Sequence, residues 1–331
     1  MKLAVISMIR DEADIIGSFL RHLAALFDLV FLLDQRSSDG TSEVIEQACR
    51  ARPGWSHWHM DFSGRHQKEV TTLFMGRAFE AGADAVFFLD CDEFVDVQSR
   101  ADLKAATAHI IERAVPGVFS WKACVPLRLD RWPFNPRDKL WIAGRASKVW
   151  KIAVPKTLAA KSSGLGIAQG SHRVVDRESN AIRGGIPIGN LLHLPVRSRQ
   201  QFLQKVFTSA FANLAKNNPM THEGRHKRNF LEVIAKRELT DMALTAIGAQ
   251  FPMLDAPPQW WTTTREIKRA GYTKARLTIP FAELALPVPP RPDLARIIAR
   301  SLLEYRLEDI AGGQGSLVLD GNTVRFQPAP G

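Results

Sequence analysis

Cysteine is scarce. Only Cys49, Cys91 and Cys124 occur in 331 residues, far apart and without CxxC or Cys/His ligand spacing. An odd, scattered set argues against a disulfide framework and fits a reducing compartment. Long hydrophobic runs are missing too. Leu29–Leu33 and Ala85–Leu89 are strand-sized and bounded by Asp, whereas a bilayer span takes about 20 apolar residues. The start, Met1 to Ile6, soon meets Arg10-Asp11-Glu12, with neither the apolar core nor the small-residue cleavage site of a signal peptide. A cytoplasmic location is expected, at most peripheral on the inner face of a membrane. Residues 7–12 contain no glycine, so the Gly-x-Gly-x-x-Gly turn of dinucleotide oxidoreductases cannot follow the first strand. RNP-type, zinc-finger and KH signatures, internal repeats and low-complexity tracts are absent as well, and no nucleic acid is expected as partner.

What is present is an ordinary globular composition, 45% hydrophobic and 24% charged. A chain of this length buries a sizeable core without disulfides or a structural metal. The formal net charge is +10, and the excess lies mainly after Pro195. That balance suits an anionic partner, such as an acidic glycan or an anionic membrane face.

The first 125 residues alternate short apolar runs with amphipathic stretches. Lys2–Ser7, Leu29–Leu33, Trp55–Met60, Ala85–Leu89 and Gly117–Val125 read as strands. Helices are expected at Ala13–Phe27, from Thr41 or Ser42 to Arg50, at Gln67–Ala81 and over 101–113. Strands alternating with such helices predict an α/β fold with a mostly parallel sheet flanked by helices. Residues 126–190 are rich in Pro and Gly and read as an irregular insertion, the kind of segment that binds substrates. Ile186–Leu194 reads as a last strand. Beyond it the pattern turns helical, over 198–216, 226–247 and 292–310, with Pro257-Pro258 and Pro287–Pro292 as breaks. A hairpin is signalled at Asp320-Gly321-Asn322. Two regions are therefore expected: 1–195, binding and catalysis, and 196–331, mainly helical.

Three strand ends carry the chemistry. Phe87-Phe88-Leu89-Asp90-Cys91-Asp92-Glu93-Phe94 brings carboxylates to the carboxyl end of an apolar strand, where open α/β sheets gather ligands. Oxygen donors of this kind suit Mg²⁺ or Mn²⁺ shared with substrate phosphates. Asp34, in Asp34-Gln35-Arg36-Ser37-Ser38-Asp39-Gly40-Thr41, can accept from a base N–H or a ribose hydroxyl, while Asp39-Gly40 makes the turn. At the end of the first strand, Arg10 can pair with phosphate. Glu12 there can hold the nucleoside or favour the following helix dipole.

In this order, the motifs resemble those of family 2 glycosyltransferases with the GT-A fold. They are most similar to the bacterial subgroup whose metal motif reads Asp-x-Asp-Glu-Phe. Gln67-Lys68 ahead of an Ala/Gly-rich helix adds to the likeness. So does His193-Leu194-Pro195-Val196-Arg197-Ser198 with Phe202 and Lys205 after it. The likeness covers about residues 1–210.

The resemblance implies a metal-dependent transfer of a sugar, with inversion, from a nucleotide-sugar to a hydroxyl of a glycan or lipid-linked acceptor, as in polysaccharide biosynthesis. It implies Asp90 and Asp92 as ligands of Mn²⁺ or Mg²⁺ with His193 beside them. Arg10, Glu12, Asp34, Asp39, Lys68 and Asp90 would contact the donor. Gln35 stands where the family often has a second Asp. A basic residue is also needed at the leaving diphosphate; Lys148 is the first choice and Arg145 the second. Asp130 is the candidate base, with Asp138 and Glu178 open, and Trp132 and Phe134 offer faces for a sugar. His172 is a further candidate, whereas His22, His57 and His66 read as structural. The rival readings are a haloacid-dehalogenase-type phosphatase, disfavoured because the Asp-x-Asp pair lies on about the fourth strand, and a catalytically inactive relative that binds carbohydrate or nucleotide-sugar.

Overall fold

Leu3–Ile9 (β1), Leu29–Asp34 (β2) and Ala85–Phe88 (β4) are apolar because both faces of the sheet they build are covered, whereas Trp55–Asp61 (β3) mixes buried apolar residues with polar ones, His59 and Asp61 being exposed. In the computed structural model they run parallel in the order β3-β2-β1-β4. Residues 1–62, 66–162, 164–214, 225–236, 238–251, 259–308 and 315–328 are described. Ile16–Leu26 (α1), Thr41–Arg50 (α2) and Gln67–Glu80 (α3) are the connections between these strands. Glu93–Val95 (β5) and Arg100–Arg113 (α4) follow β4, and the Ser99 side chain caps α4 by accepting from the Asp102 N–H.

Two expected boundaries shift for physical reasons. The first helix begins at Ile16 rather than Ala13, because residues 12–15 form a turn in which the Ile15 and Ile16 N–H groups both donate to the Glu12 carbonyl. Thr41 does not cap α2 with its own side chain. It is the first helical residue, Gly40 precedes it at φ 95°, and the Thr41 hydroxyl donates to Asp39 instead. That left-handed φ is one glycine adopts without a Cβ penalty.

The segment 126–190, read as irregular, holds regular structure. After Gly117–Pro126 (β6) come Leu140–Ala143 (β7), Trp150–Pro155 (β8), the short helix Lys156–Lys161 (α5), and the small pair Gly166–Ile167 (β9) and Val174–Val175 (β10). β8 enters between β4 and β6, antiparallel to both. Its short apolar run Ile152-Ala153-Val154 was hidden among the Pro and Gly residues around it. Ile186–His193 (β11) lies parallel to β6 and antiparallel to β5.

In the C-terminal region Arg199–Leu214 (α6) is followed by Arg225–Lys236 (α7) and Asp241–Gln250 (α8). The single helix expected over 226–247 is thus two, divided where Thr240 caps α8 by accepting from the Ala243 N–H. Pro257-Pro258 lie outside the described residues, as do residues 215–216 and 309–310 of the expected helices. Thr264–Arg269 (α9), Tyr272–Ala275 (β12) and Leu294–Glu308 (α10) come next. The expected hairpin is present as Gly315–Asp320 (β13) and Thr323–Pro328 (β14). β14 runs parallel to β3, and β12 pairs with β7, so both edges of the large sheet are built from the last 60 residues or so of the chain.

The molecule has the α/β architecture expected, with a parallel centre and antiparallel additions at its flank. One core lies between the sheet and α1, α2 and α4, with Phe19, Leu32, Ile45, Phe87 and Leu103 among its buried residues. The other lies under α3 and α5, around Phe74, Phe88, Val154 and Leu158. Among the described residues no helix is long and apolar enough to cross a membrane.

Candidate active site

The strand order fixes where a ligand can go. From β1 the chain steps through β2 to β3 on one side, then returns to place β4 on the other side of β1. Such a reversal opens a crevice beyond the carboxyl ends of the strands. The residues after β1, β2 and β4 meet there, and so do Lys151 on β8, His193 on β11 and Lys205 on α6.

At the β4 end every charge has a partner. Asp90 accepts from Lys151 Nζ at 2.7 Å, and its backbone N–H donates to Glu93 at 3.0 Å. Glu93 is fully buried, and burial pushes its carboxyl well above the usual range although Lys151, 3.7 Å away, pulls the other way. Asp92 accepts from Lys205 Nζ at 2.5 Å and has Arg197 at 3.8 Å and His193 Nε2 at 3.7 Å. Burial opposes ionisation of Asp92, but the cations, Lys205 foremost and Arg197 beyond it, outweigh it and hold the carboxyl well below its usual range. Arg197, itself buried, grips Asp14 through two hydrogen bonds of 2.7 and 2.8 Å and pairs with Glu12. Burial raises the Glu12 carboxyl to about 7 in spite of Arg197 and Lys205. His193 stacks on Trp121 at 4.2 Å, and burial lowers its imidazole to about 4, so it is neutral at physiological pH.

The loops after β1 and β2 are tied to each other. Asp11 accepts from the Ser38 N–H at 2.7 Å and donates its own N–H to the Ser37 hydroxyl. Asp39 accepts from the Ala13 N–H at 2.9 Å and from both the N–H and the hydroxyl of Thr41. Burial lifts the Asp39 carboxyl to about 6.

The expected site residues divide accordingly. Glu12, Asp34, Asp39, Asp90, Asp92 and His193 all lie at the crevice or in the loops that frame it. Arg10 pairs with Glu304 of α10 at 2.6 Å. Lys68 reaches Ser179 at 3.4 Å. Lys148 and Arg145 are exposed on the turn before β8. It is Lys151, three residues beyond Lys148, whose ammonium reaches Asp90. Asp130 is exposed, 66% for its side chain, and chelated by Arg128 at 3.0 and 3.2 Å, which holds its carboxyl below the usual range. Asp138 pairs with Arg131, and Glu178 is exposed. Phe134 is not available to stack on a sugar, because it is buried in the core beside α1. Trp132 donates its indole N–H to the Pro289 carbonyl. His172 donates through Nδ1 to the Trp150 carbonyl at 2.6 Å, and the Trp150 indole N–H donates to the His172 carbonyl at 2.7 Å. Next to it a cavity of about 390 Å³ is lined by Trp150, Ile152, His172, Arg173, Ala181 and Gly184.

Lys151 is a functional candidate that the sequence did not single out, while Arg197 and Lys205 entered only through the family likeness, with no role attached. A lysine inside the apolar run of β8 was the available signal, since a charge on a buried strand needs a partner.

Of the three expected metal ligands, only Asp90 fits an ion of the Mg²⁺ or Mn²⁺ type. Its side chain is 43% exposed and one carboxylate oxygen is engaged by Lys151. Asp92 is 2% exposed, with two cationic groups already within 4 Å, and His193 is turned toward Asp92 inside the same buried cluster.

No family model and no curated protein sequence matches the chain. Among solved structures it is similar to a mannosyltransferase from Pyrobaculum calidifontis in complex with GDP-Man and Mn²⁺, at 13% identity over 93% of this chain and 87% of that one, TM-score 0.36. A CMP-2-keto-3-deoxy-manno-octonic acid synthetase complexed with CTP is similar at 13% identity over 49% and 77%, TM-score 0.27. A mycobacterial protein is similar at 15% identity over 89% and 88%, TM-score 0.33. These TM-scores are low, and the functional reading rests on the site's own geometry.

Proposed function

We propose that the chain is a glycosyltransferase that takes a nucleotide-sugar in the crevice beyond β1, β2 and β4. The observation that carries this is the meeting of charged strand-end residues with two lysines at the point where the strand order reverses. Open α/β sheets bind nucleotides at that point. In this reading the diphosphate lies against Lys151 and Lys205, and the nucleoside lies toward Glu12, Asp34 and the loop framed by Asp39.

The charge balance favours a particular form of the donor. Asp90, Asp92 and Asp14 offset Lys151, Lys205 and Arg197. A bare diphosphate would add two uncompensated negative charges to this balanced cluster, whereas a diphosphate carrying Mn²⁺ or Mg²⁺ adds none. Asp90 is the carboxylate that would hold the ion, which when bound would stabilise charge building on the departing diphosphate. Lys151 orients Asp90 by donating to its carboxylate. Glu93, whose carboxyl burial pushes upward, fixes the Asp90 backbone by accepting its N–H. Lys205 and Arg197 neutralise Asp92 and so avoid a second negative charge facing the phosphates.

Asp130 is the candidate base for the acceptor hydroxyl in an inverting transfer. The acceptor is a glycan or lipid-linked glycan. The basic C-terminal region suits an acidic acceptor or an anionic membrane face, and salt-dependent binding to anionic vesicles tests the membrane part of that assignment. The closed state of Asp92 favours a second reading, an inactive relative that binds nucleotide-sugar without turning it over.

A nucleotide-sugar panel, with and without Mn²⁺, tests both readings by calorimetry and by release of nucleotide diphosphate. Metal-dependent binding with turnover supports the enzyme, and binding without turnover on any acceptor supports the inactive relative. If no donor binds the wild-type chain, or if Asp90→Asn and Lys151→Met bind as well as wild type, the crevice is not a donor site.

A further inference from the structure

A second set of ligand-type groups lies on the β2–β3 side of the crevice, with Asp34 at its rim. His57 and His59 are two residues apart on β3, and the period-two pleat puts both on one face. Parallel pairing sets Asp34 directly opposite His59. One ligand atom from each of Asp34, His57 and His59 falls within 4.8 Å of the other two. The two imidazole rings are 4.2 Å apart at an interplanar angle of 49°.

Three features distinguish this cluster from a chance meeting of polar side chains. His57 is 8% exposed, and its Nε2 is buried with no hydrogen-bond partner, 3.7 Å from Asp34 Oδ2. A buried nitrogen left without a partner is unfavourable and calls for an explanation such as an ion. The Asp34 carboxylate is oriented from outside: its Oδ1 accepts from the Ser37 N–H at 3.0 Å, which leaves Oδ2 for the histidine side. Such outer hydrogen bonds are how proteins aim metal ligands. His59 is exposed, which gives an ion a way in. The nearby acid Asp61 is not part of the set, since Arg36 at 2.9 Å and Arg325 at 3.6 Å hold it.

We propose that Asp34, His57 and His59 form a binding site for a divalent transition-metal ion of the Zn²⁺ type. Two imidazole nitrogens and one carboxylate oxygen suit zinc, cobalt or nickel. Mg²⁺ and Ca²⁺ take oxygen donors almost throughout. Zinc–ligand bonds of about 2.0–2.2 Å bring tetrahedral ligands closer together than they stand here. The side chains must therefore draw in by about 1 Å, which rotation about their own bonds supplies. Three protein ligands leave a coordination position open to water or to a donor atom of a bound molecule.

The site is separate from Asp90, because β1 stands between β2 and β4. Its test does not depend on sugar transfer. The untagged full chain, stripped with a chelator, is titrated with Co²⁺ and followed by visible absorption. Zn²⁺ then competes against a chromophoric chelator. One Co²⁺ per chain with visible ligand-field bands is expected, displaced by Zn²⁺. His59→Ala should weaken binding at least about tenfold, given that even outer-shell changes cost about 10–100-fold, and its exposed position leaves the fold intact, as a circular-dichroism melt will show. His57→Ala should abolish the bands. Asp90→Asn should leave the Co²⁺ spectrum unchanged. The proposal is overturned if the wild type binds no stoichiometric Co²⁺ or Zn²⁺. It is equally overturned if His59→Ala binds as tightly as wild type, or if the bands follow Asp90 instead.

Discussion

The carboxyl end of β4 and the carboxyl ends of β2 and β3 both present buried acid beside histidine, yet they are finished differently. At the β4 end each carboxylate has a lysine or arginine on it: Lys151 on Asp90, Lys205 on Asp92, Arg197 on Asp14 and Glu12. At the β2–β3 end Asp34 faces two imidazoles instead, with His57 Nε2 lying 3.7 Å from its carboxylate. The difference teaches how to read an acidic cluster. Compensated by fixed cations, it is a rigid framework that can accept a ligand only if the ligand's charge is balanced. Left facing imidazole nitrogens, it has room for a cation.

The largest expected effect comes from breaking the compensated end at its centre. Arg197→Ala leaves Asp14 and Glu12 buried against each other without their counter-ion, and removing one partner of a buried pair costs about 3–5 kcal/mol. Urea denaturation should show that loss, and a change below about 1 kcal/mol would mean that solvent already reaches the pair. Lys205→Met is the sharper probe of the comparison. It strips Asp92 of its nearest cation and should lower the melting temperature, while His59→Ala in metal-free buffer should not. If the two variants melt alike, the ends are not finished differently. Next in size is Lys151→Met, for which donor affinity should fall about tenfold or more as the charge-assisted contact to phosphate is lost. Isothermal titration against the donor found in the panel checks it.

A smaller effect is expected from pH, and it arises outside both ends. His22 is buried, with Nδ1 donating to the Pro280 carbonyl and Nε2 accepting from the Val95 N–H, an arrangement only the neutral ring can make. Burial lowers its pKa from 6.5 to about 4. The unfolded chain therefore takes up this proton before the folded one does. His22 contributes stability above pH 6.5, and that contribution falls away as pH drops toward 4. Melting temperatures measured from pH 7 to pH 4 should decline less steeply for His22→Gln than for wild type; parallel curves would assign the acid sensitivity elsewhere. The smallest effect is on stability at Asp130, where the partner Arg128 is also exposed. Asp130→Asn should leave the melting temperature unchanged, and a fall in turnover without a change in donor affinity is what a base at this position predicts.

Much of the α/β half was legible because its signals are local. Strands β1, β2 and β4 are apolar at nearly every position, and the connecting helices carry a helical period, so these elements could be read directly along the chain. The acids at the strand ends were legible for the same reason, as polar residues closing apolar runs. β8 was not, since its few apolar residues sit among prolines and glycines and are held by neighbours on β4 and β6 far away in the chain. His57 was set aside as structural because a lone histidine usually is; its pairing with His59 gained meaning only once Asp34 stood opposite on β2.

The amino-acid order by itself determined the strands and helices of the parallel centre and the acids that close those strands, since periodicity and turn residues act within a few positions; the strand order, and with it the crevice at the reversal, came from the tertiary structure. Only the tertiary structure decided which cation answers which acid. It brought Arg197 to Asp14 and Lys205 to Asp92 across more than a hundred residues of chain, and it laid β14 beside His59 at the sheet's edge. Ion pairing and strand pairing depend on distance in space, and no local pattern encodes that distance.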